Sequence, residues 1–475
     1  MQTPTSSSAG LGRFGLLVLL AGQLLPLIDF SIVNVALDTI AHAFHASETE
    51  LELLVAVYGV SFAVCLAMGA RLGDNHGRRR IFAIGVLAFG FASLLCGLAT
   101  SMWMLLAARV LQGISAALLV PQVLATIHVT LSGREHSRAL ALYGGVGGLA
   151  FVIGQVLGGL LVSADIAGLG WRSVFLINLP VCAVVLASVY HCMPDTRREH
   201  AAHIDWPGTL LLAAVILCIL VPLALGPSQH WSWPWLALMV AALPLLGMLW
   251  RVELHQEARG AHPLLPPALM RLASVRFGMF IALLFFSCWS GFIFVLARTV
   301  QAGAGMSPLQ SGNAFVAMGV TYFIGALLVP RLVDWLGNLG TLLLGCAIQM
   351  PGLLALIATL GWVWPHVSIL SLMPATAAIT FGQAFIVNCF FRISLADVPA
   401  HEAGAGSAML STVQQTALGL GAPLLGAVFV HFVPLSYLVA ARYALLAELG
   451  VMGVLVLAAL IYRRPLRPGL RRCPV

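Results

Sequence analysis

Runs of about twenty predominantly apolar residues recur from one end of this chain to the other, and no other feature limits its fold so severely. A helical residue rises ~1.5 Å, so such a run crosses the ~30 Å hydrocarbon core of a bilayer. Composition agrees: 60% of the 475 residues are hydrophobic and 9% are charged, well outside the range of soluble domains. The chain therefore reads as an all-α, polytopic membrane protein. Its opening, MQTPTSSSAGLGR, is a short polar tail. No small-residue cleavage site follows the first apolar run, so that run is expected to be an uncleaved span.

Fourteen spans are predicted. Six lie near 13–37, 53–71, 81–100, 103–126, 138–162 and 172–192, and two near 207–226 and 232–250. The last six lie near 277–297, 310–330, 340–361, 366–391, 405–432 and 441–462. The 24 basic residues are all Arg. With the N-terminus inside, 20 fall in cytoplasmic segments, Arg172, Arg298 and Arg442 fall outside, and Arg109 falls within a span. That bias predicts both termini in the cytoplasm. The formal charge of +7 is thus topological. No soluble module carries a clustered basic face, so nucleic acid is not an expected partner. The nine Cys are scattered without a CxxC and read as small buried hydrophobes.

An internal echo divides the chain. ARLGDNHG at 70–77 returns 260 residues later as PRLVDWLG at 330–337. Arg71, Leu72, Asp74 and Gly77 match Arg331, Leu332, Asp334 and Gly337. Two parallel six-helix bundles produce this spacing when two further spans separate them, a plan in which the substrate sits near the midplane. The expected units are an N-terminal bundle (1–192), two inserted spans with their loops (193–275), and a C-terminal bundle with a cytoplasmic tail (276–475).

Several motifs carry possible chemistry. RLGDNHGRRR at 71–80 is a tight cytoplasmic turn in which Gly73 and Gly77 permit close backbone approach or positive φ. Asp74 can pair with Arg78 or Arg79 or accept from the next helix N-terminus. As a gate this loop would clasp the bundles together on one side; as topology it would simply stay inside. Arg109 shares a helix face, within about 60°, with Gly113 and Ala116, so it should point into a packed or hydrated interior. Gly144, Gly148, Gly154, Gly158 and Gly159 repeat at near-helical spacing in the fifth span, as helix–helix contacts require. GVGGLA there also fits a loose dinucleotide pattern, but no strand precedes it and that reading is rejected.

Together these residues resemble the Major Facilitator Superfamily, specifically its fourteen-span drug:proton antiporter branch. The loop at 71–80 is similar to the superfamily signature between spans two and three. Arg109, Gln112 and Gly113 resemble its fourth-span motif. Gly154, Gln155, Gly158 and Gly159 resemble its fifth-span motif, with Gln155 where Pro is usual. DFSIVNVAL at 29–37, with Ser31 and Asn34, resembles the branch's first-span motif, with Asp38 replacing its final Pro. WRSVFLINLP at 171–180 and STVQQ at 411–415, containing Gln414 and Gln415, are also similar. Ala70 and Asn75 depart from the usual Gly and Arg of the loop.

The resemblance implies a transporter in the bacterial inner membrane that exports lipophilic, cationic small molecules by alternating access. Protons would be the coupling ion and no cofactor would be needed. It implies a protein functional as a monomer, with a lipid bilayer around it, and it admits a periplasmic adaptor as a further partner. A proton-linked carrier of an endogenous metabolite is the alternative. A membrane enzyme would need a catalytic constellation at one face, and a sensor would need a soluble signalling domain; the sequence offers neither.

Within that frame Asp29 is the expected proton site. It lies ~12 Å below the outer end of its span, and Arg109 lies ~10 Å below the same surface. Burial favours a protonated carboxyl and a nearby cation favours the ionised one, so a group held between the two can load and release protons. Asp29 is expected to be the one acid well inside the N-terminal bundle. Asn34 falls about 140° away around the helix. Glu448, inside the last span, could be a second acid or could lie peripherally near the outer surface. HAFH at 42–45 with Glu48, and HAAH at 200–203, have metal-like spacing but read as solvated loops. The aromatic run at 285–294 could hold a lipophilic cation through its ring faces or could simply pack.

Overall fold

The computed structural model describes residues 11–196, 205–260, 263–399 and 402–463, and every regular element within them is a helix. The tail beyond 463 and the HAAH segment lie outside the described residues. The first bundle comprises α1 (Arg13–Phe44), α2 (Glu48–His76), α3 (Arg78–Gly97), α4 (Met102–Thr130), α5 (Gly133–Ala164), and the consecutive α6 (Ser173–Leu176) and α7 (Asn178–Cys192). Next come α8 (Trp206–Leu225), α9 (Trp233–Ala258) and the short α10 (Pro267–Met270). The second bundle comprises α11 (Ala273–Ile281), α12 (Ser287–Arg298), α13 (Pro308–Val363), α14 (Ile369–Ser394), α15 (Ala403–Phe432) and α16 (Tyr437–Arg463). A π-helical segment, Ala282–Phe286, joins α11 to α12, and another, Thr299–Gly303, follows α12. Twelve stretches are long and apolar enough to cross a bilayer, and Val152–Ala164 in α5 is a shorter apolar one.

One of the twelve holds more than one crossing. α13 has 56 residues, ~84 Å if straight and far beyond a bilayer. Gly337 interrupts it at φ 73°, ψ 170°. Gly325 packs on Phe381 and Ala384, while Gly345 packs on Gly382 and Ile386. Residues twenty apart on a straight helix would be ~30 Å apart, yet both reach one level of α14. The chain therefore reverses at Gly337 into two antiparallel arms. Gly77, its counterpart in the echo, turns the chain from α2 into α3 at φ 96°. The repeat marks the positions where the backbone needs a residue without Cβ.

Capping sets where several helices begin. Ser47 and Glu50 form a reciprocal capping box before α2, as do Ser307 and Gln310 before α13, each satisfying N–H groups that the first turn leaves free. The cap starts α2 five residues before the predicted span at 53. Glu52 is thereby carried into the bundle, where it is fully buried. The expectation that Asp29 is the one interior acid of this bundle is corrected by that placement.

The inserted helices lie against the outside of the core. Leu212, Ile216 and Leu220 of α8 pack with Ala56 and Val60 of α2 and Leu420 of α15. A polar knot fixes their far end. Asp205 accepts from the Gly208 N–H at 2.7 Å, the Leu264 N–H at 3.2 Å and the Gln256 amide, and Glu253 accepts from the Leu265 N–H at 3.1 Å.

The two bundles meet along two seams of small residues. A Cβ on Gly419 of α15 would lie 2.7 Å from the backbone of Gly59 and Val60 of α2, and one on Gly426 would lie 2.2 Å from Glu52. In the second seam, a Cβ on Gly159 of α5 would lie 3.2 Å from Leu309 Cα and 3.4 Å from Gly312 Cα of α13. One on Gly319 would strike Val152 at 1.8 Å. In each seam, moving seven residues along one helix moves seven residues back along the other, so both pairs are antiparallel with contacts every two turns.

Candidate functional site

Asp29 and Arg109, level in the sequence reading, are bonded to each other. The Arg109 guanidinium donates through Nη1 to Asp29 Oδ2, and to Gln112 Oε1 at 2.8 Å. Its Nε donates to the Leu54 carbonyl at 3.4 Å, and its plane lies 4.2 Å from the Tyr58 ring centroid. Asp29 Oδ1 accepts from Gln112 Nε2 and from Asn178 Nδ2, both at 2.8 Å. Those amides also donate to Ser93 Oγ, at 2.8 and 3.2 Å. Asp29, Arg109, Gln112 and Ser93 are fully buried. Arranged this way, a carboxylate and guanidinium tolerate burial because their remaining polar atoms are largely satisfied. All these partners belong to the first bundle. Gly113 lets α4 approach α2, since a Cβ there would lie 2.4 Å from the Tyr58 carbonyl.

Other motif residues serve different contacts. Ser31 donates to the Ile28 carbonyl at 3.1 Å and the Ala150 carbonyl at 3.5 Å, so it links α1 to α5. Asn34 donates to the Phe30 and Ser31 carbonyls at 3.2 and 3.4 Å, away from Asp29 as the 140° separation requires. Gly154 seats against Ser31 and Gly158 against Ile32, while Gly159 faces the second bundle. Gly144 and Gly148 lie farther along α5.

In the loop, Asp74 pairs with Arg78 at 2.6 Å, and Arg78 also donates to Thr196 Oγ1 at 3.3 Å. Arg79 lies 3.6 Å from Asp195. These bonds tie the turn to the chain leaving α7. The mirrored Asp334 is exposed, and Gln414 and Gln415 are half-buried on α15.

Glu448 does not lie at the periphery. It is fully buried and accepts from Gln349 at 3.2 Å, because α16 turns this face toward α13. His42 points Nδ1 at the Asp38 carbonyl, 2.8 Å away, and His45 is the left-handed C-cap of α1.

At the end of the molecule opposite the Arg78 loop, ion pairs join the bundles. Arg298 donates to Glu48 at 2.5 and 2.9 Å and to Asp38 at 3.1 Å, and the Tyr437 hydroxyl donates to Glu48 at 3.1 Å. Asp38, the residue that departs from the first-span motif, is thus part of the closure.

Between the bundles lies a cavity with about 420 Å³ of empty space, part of it open to solvent. Val152 and Gln155 of α5 form one wall; Trp289, Ile293, Phe315, Met318, Gly319, Tyr322, Thr380 and Gln383 form the others. Trp289 and Tyr322 stack with centroids 6.1 Å apart. The predicted aromatic run divides: Trp289 and Ile293 line the cavity, while Phe285, Phe286, Phe292 and Phe294 are buried in packing. Among the described lining residues none is charged. Gln383, Asn178 and Ser93 escaped the sequence reading; a lone amide or hydroxyl within a lipid-length apolar run was the available signal.

This arrangement, two bundles around a cavity with repeated turns and glycine seams, agrees with comparison to known proteins. The Major Facilitator Superfamily model matches residues 19–422. The chain belongs to the Major Facilitator Superfamily. Among relatives of this Major Facilitator protein is the "Probable actinorhodin transporter" of Streptomyces coelicolor, 33% identical over 87% of this chain and 71% of that one. The puromycin resistance protein of Streptomyces alboniger is 34% identical over 87% and 81%. A crystal structure of a bacterial homologue of the human lysosomal transporter Spinster superposes with a TM-score of 0.63 at 18% identity, covering 95% of this chain and 96% of that one. The protein is therefore a transporter rather than an enzyme, a multi-pass membrane protein of a superfamily acting on small molecules.

Proposed function

We propose that this protein exports lipophilic small molecules from a bacterium across the cell membrane, in exchange for protons, by alternating access. The cavity between the bundles carries this reading. Its walls are aromatic and aliphatic with a few amide and hydroxyl groups, as sites for drug-sized ligands usually are. The names of the two Streptomyces relatives support an antibiotic-like cargo. Trp289 and Tyr322 offer ring faces to a cationic cargo.

Orientation follows the arginine bias. With the Arg78 loop cytoplasmic, both termini are inside, the chain crosses fourteen times, and the Arg298 closure is external. The outer end is then the one held shut by the Arg298 bridges. The Asp29–Arg109 pair supports proton coupling, since a membrane-embedded carboxylate is costly unless used. Hydration of the first bundle in one state and not in the other would change which protonation form is favoured. A single copy of the chain is the proposed working unit, as the family resemblance implies.

The test is efflux of a substrate panel from a pump-deleted bacterium, with and without a protonophore. Export that collapses on protonophore addition is expected. Export unaffected by it, or no export of any compound in the panel, would overturn the reading. In proteoliposomes, Asp29→Asn should insert but lose transport driven by a pH gradient.

A further inference from the structure

Gln155 and Gln383 face the cavity from opposite bundles and are buried, at 2% and 0% exposure. Neither the Oε1 nor the Nε2 atom of either residue has a hydrogen-bond partner among the described residues. Two donor groups and two acceptors therefore stand unmet beside the stacked Trp289 and Tyr322 rings. A buried amide without partners is unfavourable, and a ligand that supplies them gains what the free protein lacks. We infer that these two carboxamides are specificity-determining residues. They select flat aromatic cargo whose edge carries both hydrogen-bond donors and acceptors, such as hydroxyquinones, over aromatic cargo of equal size without them. This inference rests on the cavity being the cargo site.

Binding to the intact protein in nanodiscs tests it, with a dihydroxyanthraquinone and anthracene as probes and empty nanodiscs as the blank. Wild type should hold the hydroxylated probe at least about tenfold more tightly than anthracene, one lost buried hydrogen bond. Gln155→Leu and Gln383→Leu should each reduce that ratio toward unity by weakening the hydroxylated probe. A wild-type ratio near one, or variants that keep the ratio, would overturn the inference. Because binding is read without transport, failure of efflux and failure of this site are separate results.

A second, independent observation concerns Glu52. It is fully buried, and neither carboxylate oxygen has a hydrogen-bond partner among the described residues. It lies in the α2–α15 seam, where Gly426 leaves it room, two turns from the Gly59–Gly419 contact. Leu54 and Tyr58 present the other face of α2 to Arg109. Any separation of the bundles at this end uncovers Glu52, whereas the Asp29 cluster keeps its partners within one bundle.

We propose that Glu52 is a proton-binding latch of this closure. In the closed seam it is the neutral acid. When water enters, its O–H bond breaks, the proton passes to that water, and the carboxylate resists re-burial. Other ionisable groups face this end from the neighbouring elements. Glu48 on α2, Asp38 and His42 on α1, Arg298 on α12 and Tyr437 on α16 make the contacts already described. His431 on α15 is exposed, Cys218 on α8 is half-buried, and Cys96 on α3 faces Gln112. Opening at high pH is the signature of Glu52.

Hydrogen exchange of the intact protein in nanodiscs, corrected for the intrinsic effect of pH, reads the sign. Exchange in 46–56 and 426–437 should rise with pH in wild type, by up to about tenfold per pH unit for one released proton. Glu52→Gln should stay protected throughout, and Glu52→Met, which removes every polar atom, should do the same. A flat wild-type response, a rise on acidification, or variants that respond like wild type would overturn the latch.

Discussion

Neutralising both members of the Asp29–Arg109 pair should damage the protein less than the two single neutralisations added together. Asp29→Asn keeps the shape of the side chain but leaves a buried guanidinium without a counter-charge. Arg109 would retain the Gln112 and Leu54 oxygens, while its Nη2 already has no hydrogen-bond partner among the described residues. Breaking a buried pair from one side costs about 3–5 kcal/mol. Arg109→Gln strands the carboxylate, which keeps only the Gln112 and Asn178 amides of its present donors, so a similar loss is expected. The double variant buries two neutral amides able to bond each other. It should fall short of the summed single losses by about 3 kcal/mol, the upper range of coupling between touching residues.

Unfolding of purified protein in detergent, followed for wild type and all three variants, measures that coupling. Additive losses would refute the idea that the pair is one energetic unit. The same variants divide structure from coupling. A double variant that recovers the coupling energy and folds, yet cannot transport against a pH gradient, identifies the charges as functional. One that recovers transport as well would mean the pair only holds α1 to α4.

Other perturbations act on the seams and the turns. Arg298→Gln removes the bonds to Glu48 and Asp38 and should raise hydrogen exchange at the start of α2 several-fold; unchanged protection would show that the seams alone hold this end. Gly419→Val places methyl groups where a Cβ already meets Gly59 and Val60 backbone at 2.7 Å, so the closed state should be lost and transport with it, while wild-type transport would deny the contact. Gly337→Ala meets nothing within 4 Å, so its cost should be that of the positive-φ, extended-ψ backbone alone, about 1–3 kcal/mol. Gly77→Ala should cost more in the same unfolding assay, because its Cβ also approaches Asp195 at 2.9 Å; equal losses would contradict that reasoning.

Much of this architecture is legible in the sequence because membrane helices advertise themselves by length and the turns by glycine. The 260-residue echo locates two positive-φ turns before any coordinate is known. Depth along a helix, counted at a fixed rise, brings Asp29 level with Arg109, and they are bonded. Rotation is legible too: Asn34 points away from Asp29 by the predicted angle. Contacts between elements distant in sequence are not legible. Nothing local says that Glu52 meets Gly426, that Arg298 reaches Asp38, or that Gln155 and Gln383 face one cavity. The choice between the two readings of Glu448 was not legible for the same reason, since hydropathy reports depth but not which face a helix turns inward. Glu52 was misplaced by a boundary: the hydrophobic run begins after it, while the capping box that starts α2 begins before it.

The register of the two seams bears on how such a molecule can move. Gly59 and Gly419, then Gly159 and Gly312, put backbone against backbone at the contacts between bundles. Large interdigitated side chains would have to leave their holes for one helix to tilt on another, forfeiting the dispersion contacts that make close packing favourable. Glycine contacts have little to withdraw, so a change of crossing angle costs less there than it would between large side chains. The charged contacts lie at one end of these seams, where Arg298 bridges to α1 and α2. A hinge built this way bends along its smooth length and is held at a polar end. What opens it must act on that end, through the bridges or through the buried acid beside them.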